Sequence, residues 1–257
     1  MLLAIDIGNS SINIGFFEGA ELVRTLRIPT RPKRQDHVYK TKIYDFLLKN
    51  HMEMLMKDAV ISSVVPALTE NVCNAVKDLG ARSPMVVSAL LNTGLTYGVD
   101  NPEEIGSDRI ANVVAAREIF GPPVVVADFG TATTISALKN QEFLGGAILP
   151  GMRLMSSSLR KGTAKLPFVN RFSKSQEVPH RAMGKSTTAC ILSGIIYGTA
   201  GAVEVLVREM EKEESCRFKL VITGGNSFMM EHILSRKFSL DTDLTLKGLR
   251  FIFERNV

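Results

Sequence analysis

Two segments half a chain apart carry one pattern. Leu3-Ala4-Ile5-Asp6-Ile7-Gly8-Asn9 and Val125-Val126-Ala127-Asp128-Phe129-Gly130-Thr131 each run from an apolar strand into an Asp-x-Gly-polar turn. A further strand pattern follows in both, Ile12 to Phe17 and Thr133 to Leu138. Self-similarity at that separation predicts a duplicated α/β core, with residues 1–117 in one half and 118–257 in the other. A third strand enters a glycine turn at Leu220-Val221-Ile222-Thr223-Gly224-Gly225-Asn226.

Around the first turn the expected order is strand, strand, strand, helix, strand, helix, strand. The strands are Leu2 to Ile5, Ile12 to Phe17, Leu22 to Ile28, Val60 to Val65 and Met85 to Ser88. The helices fall near Val38 to Asn50, with Ile43, Phe46 and Leu47 on one face, and near Glu70 to Leu79. A helix carrying Ile110, Val113 and Val114 leads to the second half. There a long helix from about Thr188 to Glu211 contains Gly194, Gly198 and Gly201, and a short one is expected from about Phe228 to Leu234.

Composition narrows the function class. Hydrophobic residues make up 45% of the 257, which supplies a sizeable core. Charged residues make up 22%, and no run of about 18 consecutive apolar residues occurs, so neither disorder nor a membrane span is expected. With no basic leader before Asp6, the expected location is the cytoplasm. Cys73, Cys190 and Cys216 are far apart, and His37, His51, His180 and His232 lack ligand spacing, which argues against a disulfide framework and a His/Cys metal centre. The net charge of +5 is densest from Arg27 to Arg34, where Pro29 and Pro32 replace the aromatics a nucleic-acid surface would interleave. That run reads as a solvated loop, and no nucleic-acid partner is expected.

Glycine turns that end buried strands leave backbone N–H groups free to cradle phosphate oxygens, and Gly8 and Gly130 suit that use. A carboxylate beside bare phosphate is unfavourable, so Asp6 and Asp128 imply a cation, Mg²⁺ on a nucleotide. A single Asp-x-Gly ordinarily makes a simple Asx-turn. Two copies with matching strand flanks, joined by the Gly224-Gly225 turn, shift the reading to a nucleotide clasped by a duplicated core. Gly184-Lys185-Ser186 imitates the end of a P-loop, but Pro179 stands where its first glycine belongs and no strand leads into it. No Gly-x-Gly-x-x-Gly fingerprint occurs.

In Asn101-Pro102-Glu103-Glu104-Ile105-Gly106-Ser107-Asp108-Arg109 an acid and a base open the helix of Ile110. A Ser/Asp cap explains Asp108, which complements the helix dipole. Arg109 opposes that dipole unless an anion pairs with it, so the sharper reading makes Asp108 a general base and Arg109 an anion clamp.

Together, Asp6-Ile7-Gly8-Asn9-Ser10, Gly106-Ser107-Asp108-Arg109, Asp128-Phe129-Gly130-Thr131-Ala132-Thr133-Thr134, Gly145-Gly146-Ala147-Ile148-Leu149-Pro150-Gly151 and Gly162-Thr163-Ala164-Lys165-Leu166-Pro167 resemble the type III pantothenate kinase family. Order and spacing carry the resemblance over nearly the whole chain. It implies the duplicated actin-like, ribonuclease H-like fold with a nucleotide in the cleft, and transfer of the ATP γ-phosphoryl group to pantothenate, the first step of coenzyme A synthesis. It implies Asp108 as proton acceptor, and Asp6, Ile7, Gly8, Asn9, Ser10, Ser11, Ile12, Asn13 and Thr131 as ATP contacts. Gly106, Ser107, Asp108, Arg109 and Thr187 would contact pantothenate, and Asp128 would bind K⁺ or NH₄⁺. It also implies a homodimer with the active site at the interface. Gly194, Gly198 and Ala202 suit close helix contact in such a dimer, or equally the packing of one helix on its own sheet.

Two positions depart from the family pattern. Ser107 stands where many members have Ala. Val99 stands where many have a substrate-contacting Tyr, with Tyr97 two residues earlier on the same face of an expected strand. The competing readings are a non-catalytic accessory protein of the same family, of the Bvg accessory factor type, and a phosphohydrolase or chaperone ATPase on the same fold. Asp108 and Thr187 favour the kinase over the first, and a chaperone would need a peptide-binding domain for which the duplicated core leaves no room.

Overall fold

The computed structural model describes residues 1–32, 35–52, 57–170, 172 and 181–257. Lys33 and Arg34 of the basic run, Pro179 and His180 lie outside the described residues.

In chain order the elements begin with β1 (Leu2–Ile7), β2 (Ser11–Glu18), β3 (Glu21–Pro29), α1 (Asp36–Lys49), β4 (Asp58–Ser63), α2 (Pro66–Asp78), β5 (Met85–Val86), β6 (Thr96–Tyr97) and α3 (Ser107–Phe120). They continue with β7 (Val124–Phe129), β8 (Ala132–Lys139), β9 (Glu142–Pro150), α4 (Met152–Gly162), α5 (Thr187–Glu213), β10 (Lys219–Thr223), β11 (Phe238–Leu240) and α6 (Leu244–Glu254). Alternate residues of β1 and β2, namely Leu3, Ile5, Ile7, Ile12, Ile14 and Phe16, bury one sheet face against Tyr39, Ile43 and Leu47 of α1 and Leu68, Val72 and Val76 of α2. In the same way Val125, Ala127, Phe129, Ile135 and Ala137 pack on Ile191, Ile195, Ile196, Val203 and Val207 of α5 and Met152 of α4.

The first sheet has the order β3-β2-β1-β4-β5 and the second β11-β10-β7-β8-β9-β6. Read from the other edge, β9-β8-β7-β10-β11 repeats the first order strand for strand, with two antiparallel hairpins followed by parallel additions. The duplication expected from the paired turns is therefore a duplication of topology.

The chain divides into two compact units, Met1–Leu95 with Val99–Glu118 and Leu244–Val257, and Thr96–Gly98 with Ile119–Asp243. A cut at 117/118 thus differs from the observed division at the chain end. α6 belongs to the first unit, where Thr245 Oγ1 donates to Asn112 Oδ1 of α3 at 2.7 Å and Gly248 lies so close to Ala111 that a Cβ would strike its backbone. The helix expected from Phe228 to Leu234 is a single 3₁₀ turn, Ser227–Met229. The most apolar 18-residue window of α5 has a mean hydropathy of 1.8 and the helix has the length to cross a membrane, but half of that window is buried, as in a core helix.

Candidate active site

The first unit gathers two of the motifs at one edge of its sheet. β1 and β4 run parallel with Asp6 abreast of Ser62 and Ile7 abreast of Ser63. Both strands end there, and the Asp-x-Gly turn closes through the Gly8 amide donating to the Ser11 carbonyl at 3.0 Å. Asn13 Nδ2 donates across the hairpin to Asp6 Oδ2 at 3.4 Å. Asn9 and Ser10 are exposed, while the side chains of Ile7 and Ile12 are buried in the core, which leaves their main chain alone to meet a ligand.

The start of α3 is fixed to this same edge. Ser107, buried at 7% exposure, shares a 2.9 Å hydrogen bond with the Ser62 hydroxyl, and its Oγ accepts the Ser63 amide at 2.9 Å. Asp108 and Arg109 are thereby held one strand away from Asp6. The hydroxyl at 107, an added hydrogen-bonding group relative to Ala, anchors the helix that carries the acid. Asp108 Oδ1 accepts the Arg109 amide at 2.8 Å, and a Cβ on Gly106 would stand 2.5 Å from the same oxygen. Burial raises the Asp108 carboxyl above its ordinary value, against the opposing pull of the Arg109 amide and charge. Burial likewise lowers the Arg109 guanidinium, which the Asp108 charge partly restores.

In the second unit the duplicated turn is one residue shorter and closes through the Gly130 amide to the Ala132 carbonyl at 3.0 Å. Asp128 is flanked in register by Thr134 on β8 and Thr223 on β10. The third glycine turn lies directly against it. Gly224 has φ 91°, a Cβ there would overlap Asp128 Oδ1, and the Asn226 amide donates to the Phe129 carbonyl at 3.0 Å. Thr131 is exposed, and its carbonyl accepts the Gly151 amide at 3.1 Å. Thr187 stands exposed at the start of α5, capped by Ser186, whose hydroxyl accepts the Ala189 amide at 3.2 Å.

The structure thus brings together Asp6 to Asn13 with Gly106 to Arg109 in one unit, and Asp128 and Thr131 with the Gly224 turn in the other. Thr187 belongs to the same unit as Asp128 and Thr131. The Tyr97 ring packs on Phe143 of β9 at 6.3 Å between centroids. Nothing local in the sequence marks Thr30 and Ser62, whose hydrogen-bond partners lie 22 and 45 residues away.

Among the described residues no group of three or more His, Cys, Asp or Glu stands together. Single carboxylates beside glycine turns suit Mg²⁺ brought by nucleotide phosphates, since that ion is held by one or two carboxylates plus phosphate and water.

Two copies of one sheet topology, each ending its first strand in an Asp-x-Gly turn, make this a protein of the actin-like ATPase and sugar kinase fold. Solved structures share the fold. One is a protein of Campylobacter jejuni assigned to the Baf family of transcriptional activators (TM-score 0.60, 21% identity, 99% of this chain and 98% of that one). Another is component A of (R)-2-hydroxyglutaryl-CoA dehydratase from Acidaminococcus fermentans (TM-score 0.53, 13% identity, 98% and 95%). At these identities they speak for the fold alone.

Residues 2–209 match the type III pantothenate kinase family. The type III pantothenate kinase of Moorella thermoacetica is 38% identical over 264 residues, covering 100% of both chains. That of Listeria monocytogenes is 39% identical over 261 residues, covering 100% of this chain and 98% of its own. The chain belongs to the type III pantothenate kinase family.

Proposed function

We propose that this kinase works with Asp108 as the base that accepts the proton of the pantothenate hydroxyl. Its reaction is the ATP-dependent phosphorylation of pantothenate to 4'-phosphopantothenate in coenzyme A biosynthesis, with a divalent metal accompanying ATP. The observation that carries the role of Asp108 is its tether. Ser107 pins the acid one strand from the Asp6 turn, and burial raises its carboxyl toward the range where a general base operates. A binding-only accessory protein would have no use for a base so placed.

In this reading the turn from Asp6 through Ile7, Gly8, Asn9, Ser10, Ser11 and Ile12 to Asn13, with Thr131, holds ATP and its Mg²⁺. Gly106, Ser107, Arg109 and Thr187 hold pantothenate, Arg109 pairing with its carboxylate. Phosphoryl transfer asks a protein chiefly to align nucleophile and phosphate and to offset charge, which a half-buried acid–cation pair beside a glycine turn is built to do. Asp128, pressed by Gly224 and flanked by threonines, is the ligand for K⁺ or NH₄⁺.

The active assembly is a cytoplasmic homodimer that completes its active site at the interface. In support, Gly194, Gly198 and Gly201 are exposed on α5, and among the described residues nothing stands within 4 Å of where a Cβ would be, whereas Ala202 is half-buried. These glycines do not serve the packing of α5 on its own sheet.

ADP release coupled to a reporter, with ATP, Mg²⁺, K⁺ and pantothenate, tests the activity. Pantothenate-dependent release is expected, and release no faster than without pantothenate would overturn it. Replacing K⁺ with Na⁺ should abolish most of the rate, and equal rates would remove the monovalent site.

A further inference from the structure

We infer that Thr30 is a positioning residue for the ATP-phosphate turn, an inference that rests on the kinase reading. Thr30 follows β3 and is 2% exposed. Its hydroxyl donates to the Gly8 carbonyl at 2.6 Å and its amide to the Ser10 carbonyl at 3.1 Å. The Ile7 carbonyl accepts the Val64 amide, and the Ser11 carbonyl accepts the Gly8 amide. From Ile7 to Ser11, only the carbonyl of exposed Asn9 stands outside these bonds.

Carbonyl lone pairs repel a phosphate and N–H groups attract it. A turn whose carbonyls are tied back to the protein presents its amide side, and Thr30 ties back two of them.

The duplicated half supplies an internal control. Thr30 follows Pro29 at the end of β3, and Gly151 follows Pro150 at the end of β9, with Pro29 paired to Ser11 and Pro150 paired to Ala132. The Gly151 amide makes the equivalent backbone bond to the Thr131 carbonyl at 3.1 Å. A Cβ at Gly151 would overlap the carbonyls of Thr131 and Gly130, so no side chain fits there. In this turn, one residue shorter than the first, the backbone amide alone closes the corner. The hydroxyl is an addition confined to the longer Asp6 turn.

The test compares wild type, Thr30→Val, which removes the hydroxyl at equal volume, and Thr30→Ser, which keeps it. A fluorescent ATP analogue with Mg²⁺, titrated without pantothenate, reports Kd independently of the phosphoryl acceptor. Steady-state KM values for ATP and pantothenate and the thermal midpoint are measured alongside. Thr30→Val is expected to weaken nucleotide binding by about tenfold, the scale of one lost buried hydrogen bond, while the pantothenate KM stays at the wild-type value and Thr30→Ser restores binding. An unchanged Kd in Thr30→Val, equal shifts in both KM values that follow a lowered thermal midpoint, or no recovery in Thr30→Ser would overturn the inference. A wild type that binds the analogue but phosphorylates nothing would sink the kinase reading and leave Thr30 judged on Kd alone. A wild type that does not bind the analogue would sink both.

Discussion

At Asp108 stability and chemistry pull in opposite directions. Its carboxyl is raised by burial, so the folded state holds the proton more tightly than the unfolded chain does, and ionisation above that raised value costs stability. Asp108→Asn mimics the protonated form, and its thermal midpoint at pH 7 is expected at or above that of wild type in a melting experiment. Its turnover should fall by about 10² to 10⁴, the usual worth of a general base, with nucleotide Kd little changed. The acid limb of the kcat/KM profile should lie above pH 3.8, since the base works only when deprotonated and activity falls as pH drops through its raised value. A limb at or below 3.8 would assign that limb to another group. Asp108 was legible as a residue, because an acid followed by a cation at a helix start is a local anomaly. Its environment was not, because Ser62 and Gly106 act on it only in the folded chain.

Among the elements, α5 is held at its far end by one buried carboxylate. Glu211, 6% exposed, accepts from the Arg236 guanidinium, from Arg217 Nη1 at 3.1 Å and from the Phe218 amide at 2.9 Å. The Arg236 hydrogen bond is the largest cause of a drop from 4.5 to about 2. The lowered value means a contribution to stability that is full above pH 4.5 and lost as pH falls toward 2, about 3 kcal/mol in all. Glu211→Ala should cost about 3–5 kcal/mol in denaturant unfolding at pH 7, because it strands a partly buried guanidinium, and a loss under about 1 kcal/mol would contradict that account. Elements whose signal is periodic and uninterrupted, such as β1, β7 and α5, were readable in the sequence. β9 was not, since Gly145 and Gly146 sit at φ 111° and 154° within it and break its pattern. Gly146 is required by contact, as a Cβ there would overlap the Ile135 carbonyl across the ladder.

For the whole molecule, the outward glycines of α5 make assembly testable apart from folding. Among the described residues a Cβ at Gly198 meets nothing within 4 Å, so Gly198→Glu should fold and melt like wild type. In the proposed dimer it should shift sedimentation from dimer to monomer and lower pantothenate turnover, and an unchanged dimer would move the interface elsewhere. The sequence by itself determined the duplication, the two Asp-x-Gly turns and the acid that opens α3, because strand runs, glycine turns and helix starts are set by residues a few positions apart. The tertiary structure alone decided that α6 returns to the first unit, that Ser107 ties the acid to β4 across 45 residues, and that Thr30 ties back the first turn across 22. A hydroxyl carries no mark of a distant partner, and only packing of the strands between them brings donor and acceptor within reach.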